Sequence, residues 1–139
     1  MFINPTAETL RDLLRNARTI AVVGLSDRED RDSNRVARYM KLQGYEIIPV
    51  NPGAREILGV PSVADLMAIT KPVDIVNVFR RSEHVPAIAD AAIHIGAKAL
   101  WTQIGIGDDD AAQRAASAGL VVVMNRCLMV EHRRYILNF

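Results

Sequence analysis

Apolar runs of strand length recur five times along this chain, at residues 19–25, 45–50, 73–79, 98–102 and 120–124. They lack the polar alternation of a half-exposed sheet, so they predict strands covered on both faces. The segments between them carry apolar residues at helical spacing. Ser33 is placed to cap a helix running to about Gln43, with Val36, Ala37 and Met40 inward and Gly44 as its stop. Asn51-Pro52-Gly53 ends the second run as a turn, and Ser62 is read as the cap of a short helix over 63–68. Further helices are predicted over 83–95, stopped by Gly96, and over 109–118, stopped by Gly119. Asp108-Asp109-Asp110 puts negative charge at the favourable end of the latter. Before the first strand, Leu10, Leu13, Leu14 and Ala17 form one stripe of a helix over 6–17, with Asn4 or Thr6 as its cap. Residues 125–139 hold no clearer pattern than a short helix.

This alternation predicts an α/β fold. It is a Rossmann-like three-layer sandwich with a five-stranded parallel sheet, an extra N-terminal helix and right-handed crossovers. The expected strand order is 3-2-1-4-5, which puts the topological switch between strands one and four.

Composition narrows the partners. At 139 residues the chain has the size of one domain, and half of it is hydrophobic. A net charge of +1 gives no global field for nucleic acid, and no apolar run reaches membrane-spanning length, so neither is expected as a partner. Nothing identifies a protein partner. One cysteine, Cys127, excludes an internal disulfide, and no secretory leader precedes the first helix, so a cytoplasmic setting is expected. Charge is local instead: Arg28, Arg31, Arg35 and Arg38 fall in one window just after the first strand. That window reads either as planar donors for phosphate or as a solvated helix face.

In such sheets ligands bind at the carboxyl ends of the strands. Those ends carry Gly24-Leu25-Ser26, Val50-Asn51-Pro52, Phe79-Arg80-Arg81, Trp101-Thr102-Gln103 and Asn125-Arg126-Cys127. Gly24 lets a backbone approach a phosphate, and the following helix can aim free amides there. Two features argue against a nicotinamide dinucleotide. The spacing of the three-glycine fingerprint is broken by Ser26 and Glu29, and Asn51-Pro52 stands where an acidic residue would hold ribose hydroxyls. Trp101 and Phe79 are each either a ligand wall or a core aromatic.

Chemistry beyond binding is not evident. His84 could approach the site or lie exposed on its helix, and Cys127 is either a buried inert thiol or a nucleophile. No residue is assigned a catalytic role and no set of residues has metal-ligand spacing.

Taken in order, the segments Ile20-Ala-Val-Val-Gly-Leu-Ser26, Ser33-Asn-Arg-Val36, Ile48-Pro-Val-Asn-Pro52, Val78-Phe-Arg80, Leu100-Trp-Thr-Gln-Ile-Gly105 and Asn125-Arg-Cys127 with Glu131 resemble the stand-alone CoA-binding domain family. These are small Rossmann-like proteins related to the N-terminal domain of the succinyl-CoA synthetase α subunit. The resemblance spans roughly residues 18–131. It implies one CoA-binding domain over residues 1–139, holding coenzyme A or an acyl-CoA as a carrier, sensor or subunit. By similarity Gly24, Leu25, Ser26 and Arg35 meet the pyrophosphate, and Val50, Asn51 and Pro52 line the adenine and 3′-phosphate end. Phe79, Arg80, Val85, Trp101, Thr102, Gln103 and Ile104 border the rest of the nucleotide and the pantetheine arm. Gly53 stands where relatives often carry lysine, and Leu128 where they often carry proline. Ligase chemistry needs a second domain with a phosphorylated histidine and is not implied. The alternative is an enzyme, either a nicotinamide-nucleotide redox protein or an acyl-transfer enzyme.

Overall fold

The computed structural model describes residues 1–139. Seven strands form, β1 Thr19–Val23, β2 Glu46–Val50, β3 Glu56–Ile57, β4 Val60–Pro61, β5 Ile75–Val78, β6 Ala99–Thr102 and β7 Val121–Val123. Five helices accompany them, α1 Ala7–Asn16, α2 Asp32–Leu42, α3 Val85–His94, α4 Asp109–Ser117 and α5 Leu128–Tyr135. The main sheet is parallel throughout, in the order β2-β1-β5-β6-β7. Side chains alternate between its faces. Ala21, Val23, Val76 and Val78 pack with the 66–68 turn, α3 and α4. Ile20, Val22, Ile75 and Trp101 pack with α1, α2 and α5. This is the α/β, Rossmann-like sandwich the periodicity predicts.

The strand order corrects the expectation. Counting the five predicted strands along the chain, the order is 2-1-3-4-5, not 3-2-1-4-5. Pro49 supplies the reason. A residue's N–H and C=O point to the same side of a strand, and the Pro49 carbonyl accepts from Val63 N–H (3.0 Å) on the side away from β1. Pro49 therefore has no donor for a full neighbour there, which suits an edge strand. The third predicted strand instead pairs with β1, Ile20 opposite Ile75 and Val23 opposite Val78, and all four β5 residues are buried. The switch point consequently lies between β1 and β5, not between β1 and β6.

The link from β2 to β5 also differs from the reading of its sequence. Leu58 (φ 55°) and Gly59 (φ 77°) make a two-residue hairpin between β3 and β4, both in the left-handed region such a turn requires. Ser62 caps nothing; its hydroxyl donates to Asn51 C=O (3.0 Å). Asp65 is the cap of a single 3₁₀ turn, accepting from Met67 N–H (2.8 Å). At the chain start, Thr6 caps α1, while the Asn4 side chain pairs with both backbone groups of Met124. No helix is long and apolar enough to cross a membrane.

Candidate functional site

Two clefts open at the carboxyl ends of the strands, and both are lined by Gly24. The first, about 880 Å³, runs between the start of α2, the end of β5, the 103–106 loop and the start of α5. The second, about 590 Å³, lies between the end of β2, the 65–67 turn and α3, and is mostly apolar. Gly24 closes the gap between them. Its φ is +86°, and a Cβ there would sit 3.0 Å from Arg80 Cγ and 3.4 Å from the Phe79 backbone. The turn after β1 and the turn after β5 thus touch at the switch point, and a side chain at position 24 has no room.

The sequence folds this rim by small local bonds. Ser33 does not cap α2; its Oγ accepts from Ser26 N–H (3.0 Å), and Asn34 Nδ2 donates to Ser26 C=O (2.9 Å). The N-cap position of α2 is Arg31, with no side-chain cap bond, so the helix presents its first amides uncapped to the first cleft. Asn51 is occupied structurally: its Nδ2 donates to Leu25 C=O (2.8 Å) and its Oδ1 accepts from Gly53 N–H (2.8 Å). Opposite them, Asn125 stands at φ 60° and its Oδ1 accepts from Gly105 N–H (2.6 Å), which fastens the 103–106 loop to the end of β7.

Charge around the first cleft is mixed. Arg28 pairs with Asp30 (3.1 Å) and Arg35 with Asp32 (2.7 Å), all at exposed positions where such pairs hold weakly and exchange readily for another anion. Arg31 lines the cleft without a carboxylate partner. Arg80 lines the second cleft and meets only the His84 ring (3.2 Å).

Of the residues singled out in the sequence, Gly24, Ser26, Arg35, Phe79, Gln103 and Ile104 come together in the first cleft. Val50, Asn51, Pro52 and Arg80 join Gly24 in the second. Four have their side chains placed elsewhere. Leu25, Val85, Trp101 and Thr102 are fully enclosed and reach neither cleft. Trp101 sits one strand beyond the switch point, beneath α5, and its indole N–H donates to Arg126 C=O (2.9 Å). Thr102 Oγ1 donates to Ile106 C=O (2.6 Å). Both follow from the strand order: β5, not β6, is β1's neighbour.

Several lining residues carry no signal as single letters. Met67, Ala87 and Ile88 line the second cleft, and Ile106, Met129 and Val130 the first. In sequence they are only apolar helix or loop positions. Cys127 lines the first cleft and is partly exposed, so it is not a buried thiol. His84 lines neither cleft, and Asp108 caps α4 by accepting from Ala111 N–H (2.9 Å).

Away from the clefts, ionisable groups serve the fold. Burial pushes Asp74 up, but the N–H groups of Arg18 (2.7 Å) and Thr19 (3.0 Å), with Lys98, outweigh it and hold its carboxyl below the usual range. A hydrogen bond from Lys71 holds Glu46 below its ordinary value. Burial lowers His132, whose Nδ1 lies 2.8 Å from the Tyr39 hydroxyl. Burial, and then the neighbouring Tyr39, pushes Tyr45 up to about 12.

A parallel α/β sheet with a crevice at its switch point, a glycine at the closest approach and an uncapped helix start beside it defines a Rossmann-like class of α/β protein. Within that class the chain belongs to the CoA binding domain family, whose profile matches residues 18–133. It is 45% identical over 129 residues to the uncharacterized protein YneT of Bacillus subtilis, covering 93% of this chain and 96% of that one. The structure of a hypothetical protein from Pyrococcus horikoshii superposes with a TM-score of 0.92 at 33% identity, covering 98% of both chains. An acetyl-coenzyme A synthetase of Ca. Korarchaeum cryptofilum matches with a TM-score of 0.69 at 25% identity, over 81% of this chain and 27% of the synthetase.

Proposed function

We propose that residues 1–139 act as one cytosolic domain that holds coenzyme A or an acyl-CoA across both clefts, as a carrier, sensor or subunit and not as an acyl-transfer or nicotinamide enzyme. The observation that carries this reading is the sharing of Gly24 by an apolar cleft and a cleft with an open helix start. CoA has the matching order of parts. Its adenosine end goes to the apolar cleft beside Val50, Asn51 and Pro52, with Arg80 as the cation nearest its phosphates. The pyrophosphate crosses Gly24 toward the α2 amides, Arg31 and Arg35. The pantetheine arm follows Phe79, Gln103 and Ile104. Membership of the CoA binding domain family supports CoA as the ligand class. Asn51-Pro52, in place of an acidic residue after β2, disfavours a nicotinamide dinucleotide.

Isothermal calorimetry with CoA, dephospho-CoA and NAD tests the proposal. CoA is expected to bind, and NAD to show no heat at the same concentration. Arg35→Ala is expected to weaken CoA binding, and Arg18→Ala, at the amino end of β1, to leave it unchanged. Indifference of the wild-type protein to all three ligands would remove the proposal.

A further inference from the structure

We propose that the first cleft delivers the sulfur end of coenzyme A disulfide to Cys127, so that this chain captures one coenzyme A covalently by thiol–disulfide exchange. The inference rests on the CoA reading and adds a chemical step to it. Cys127 is the only cysteine in the chain, so any disulfide it makes is intermolecular. It is partly exposed, and the surface it exposes belongs to the cleft lined by Gly24, Phe79 and Gln103. It precedes α5 directly and makes no side-chain capping bond.

Gln103 supplies an independent sign that this end of the cleft receives a polar, extended ligand. The residue is only 7% exposed. Its Oε1 is committed twice, accepting from Asn77 Nδ2 (3.0 Å) and from Leu128 N–H (3.0 Å). The Leu128 backbone N–H fixes which way the amide faces, because a flip would set an N–H group against it. Its Nε2 has no protein acceptor and is not among the fully buried atoms, so it is open at the cleft wall. An amide donor held in one orientation at the cleft wall can take a carbonyl from a ligand, and pantetheine carries two amide carbonyls on the way to its thiol. The same Gln103 oxygen holds Leu128 N–H, the residue after Cys127, so donor and thiol are fixed to one another through a single bond.

The step balances with the symmetric disulfide of the ligand as co-reactant. The Cys127 thiol gives its proton to solvent, and its sulfur attacks one sulfur of the disulfide. An Sγ–S bond forms and the S–S bond breaks. The second ligand molecule leaves as a thiolate and takes a proton from solvent. Cys127 is oxidised as the departing sulfur is reduced.

The test follows intact-protein mass with time during incubation with CoA disulfide and, separately, with glutathione disulfide at the same concentration. The expected result is a single CoA adduct formed roughly tenfold or more faster than the glutathione adduct, because docking raises the effective concentration of the sulfur. Excess thiol-free CoA analogue is expected to slow the CoA adduct and to leave the glutathione rate unchanged. Equal rates for the two disulfides, or no protection by the analogue, would overturn the inference. Calorimetry on the same protein separates the two levels. CoA binding with equal adduct rates removes only the exchange step, whereas absence of CoA binding removes the step and the reading beneath it.

Discussion

Gly24 stands where the two clefts meet, and its lack of a side chain is a requirement of both its backbone and its neighbours. Its φ of +86° excludes most L residues, and the Arg80 side chain and Phe79 backbone fill the space a Cβ would take. Gly24→Ala is therefore expected to cost about 1–3 kcal/mol of stability in denaturant titration and to weaken CoA binding in calorimetry. Arg80 must shift, and the junction between the two clefts narrows. Trp101 makes the converse case. Its indole is buried in the core and bonded to Arg126 C=O, so Trp101→Ala is expected to cost about 3–5 kcal/mol, read by the same titration. A Trp101→Ala protein of unchanged stability but lost affinity would return that residue to the cleft. Gly24 was legible in the sequence because a glycine directly after a buried apolar run marks a turn where the backbone itself must come close to something. Trp101 was not, since its position at a strand end is the same whether that strand flanks the crevice or lies one place further away.

Among elements, α5 shows how a segment without clear periodicity is fixed by tertiary bonds. Glu131, buried, lies 3.6 Å from Arg126 and 3.5 Å from Arg134, and His132 packs edge-on against the rings of Tyr39 and Tyr45. The two tyrosines come from α2 and the approach to β2, far away in sequence, so no local pattern announces them. The burial of neutral His132 has a pH consequence. Its folded pKa lies below the ordinary value of 6.5, so as pH falls through that value the unfolded chain takes up a proton the folded chain refuses. Stability is expected to fall below about pH 6.5, and His132→Gln, which retains an acceptor for Tyr39, is expected to flatten the fall in thermal melts. Glu46 and Asp74 have the opposite chemistry and a lower window. Their carboxylates are held down, so their contribution is complete above 4.5 and 3.8 and is lost as pH falls beneath those values. The element pattern of strands and helices was legible from periodicity. The strand order hangs on one cue, Pro49 inside the second apolar run, which marks that strand as an edge and excludes it from the interior of the sheet. The β3–β4 hairpin has no local signature, because its strands have two residues each and Leu58, a residue type seldom found at positive φ, occupies half of the turn.

For the molecule as a whole, the strand order decides which loops can share a ligand. With β5 beside β1, the Gly24 turn faces Phe79 and Arg80, and the crevice extends to both sides of the sheet. A ligand spanning it binds the native state alone, so CoA at about a hundred times its dissociation constant is expected to add about 2.7 kcal/mol to unfolding, visible as a raised melting temperature. The location of that ligand is read by nuclear magnetic resonance of the isotopically labelled protein, titrated with CoA and then with adenosine 3′,5′-bisphosphate and pantetheine separately. Binding across Gly24 predicts that CoA shifts the amides of Val50, Asn51 and Met67 together with those of Ser26, Gln103 and Cys127, that the bisphosphate shifts the first group, and that pantetheine shifts the second. Shifts confined to one cleft, or gathered near Asp74 and Lys98 at the opposite ends of the strands, would contradict it.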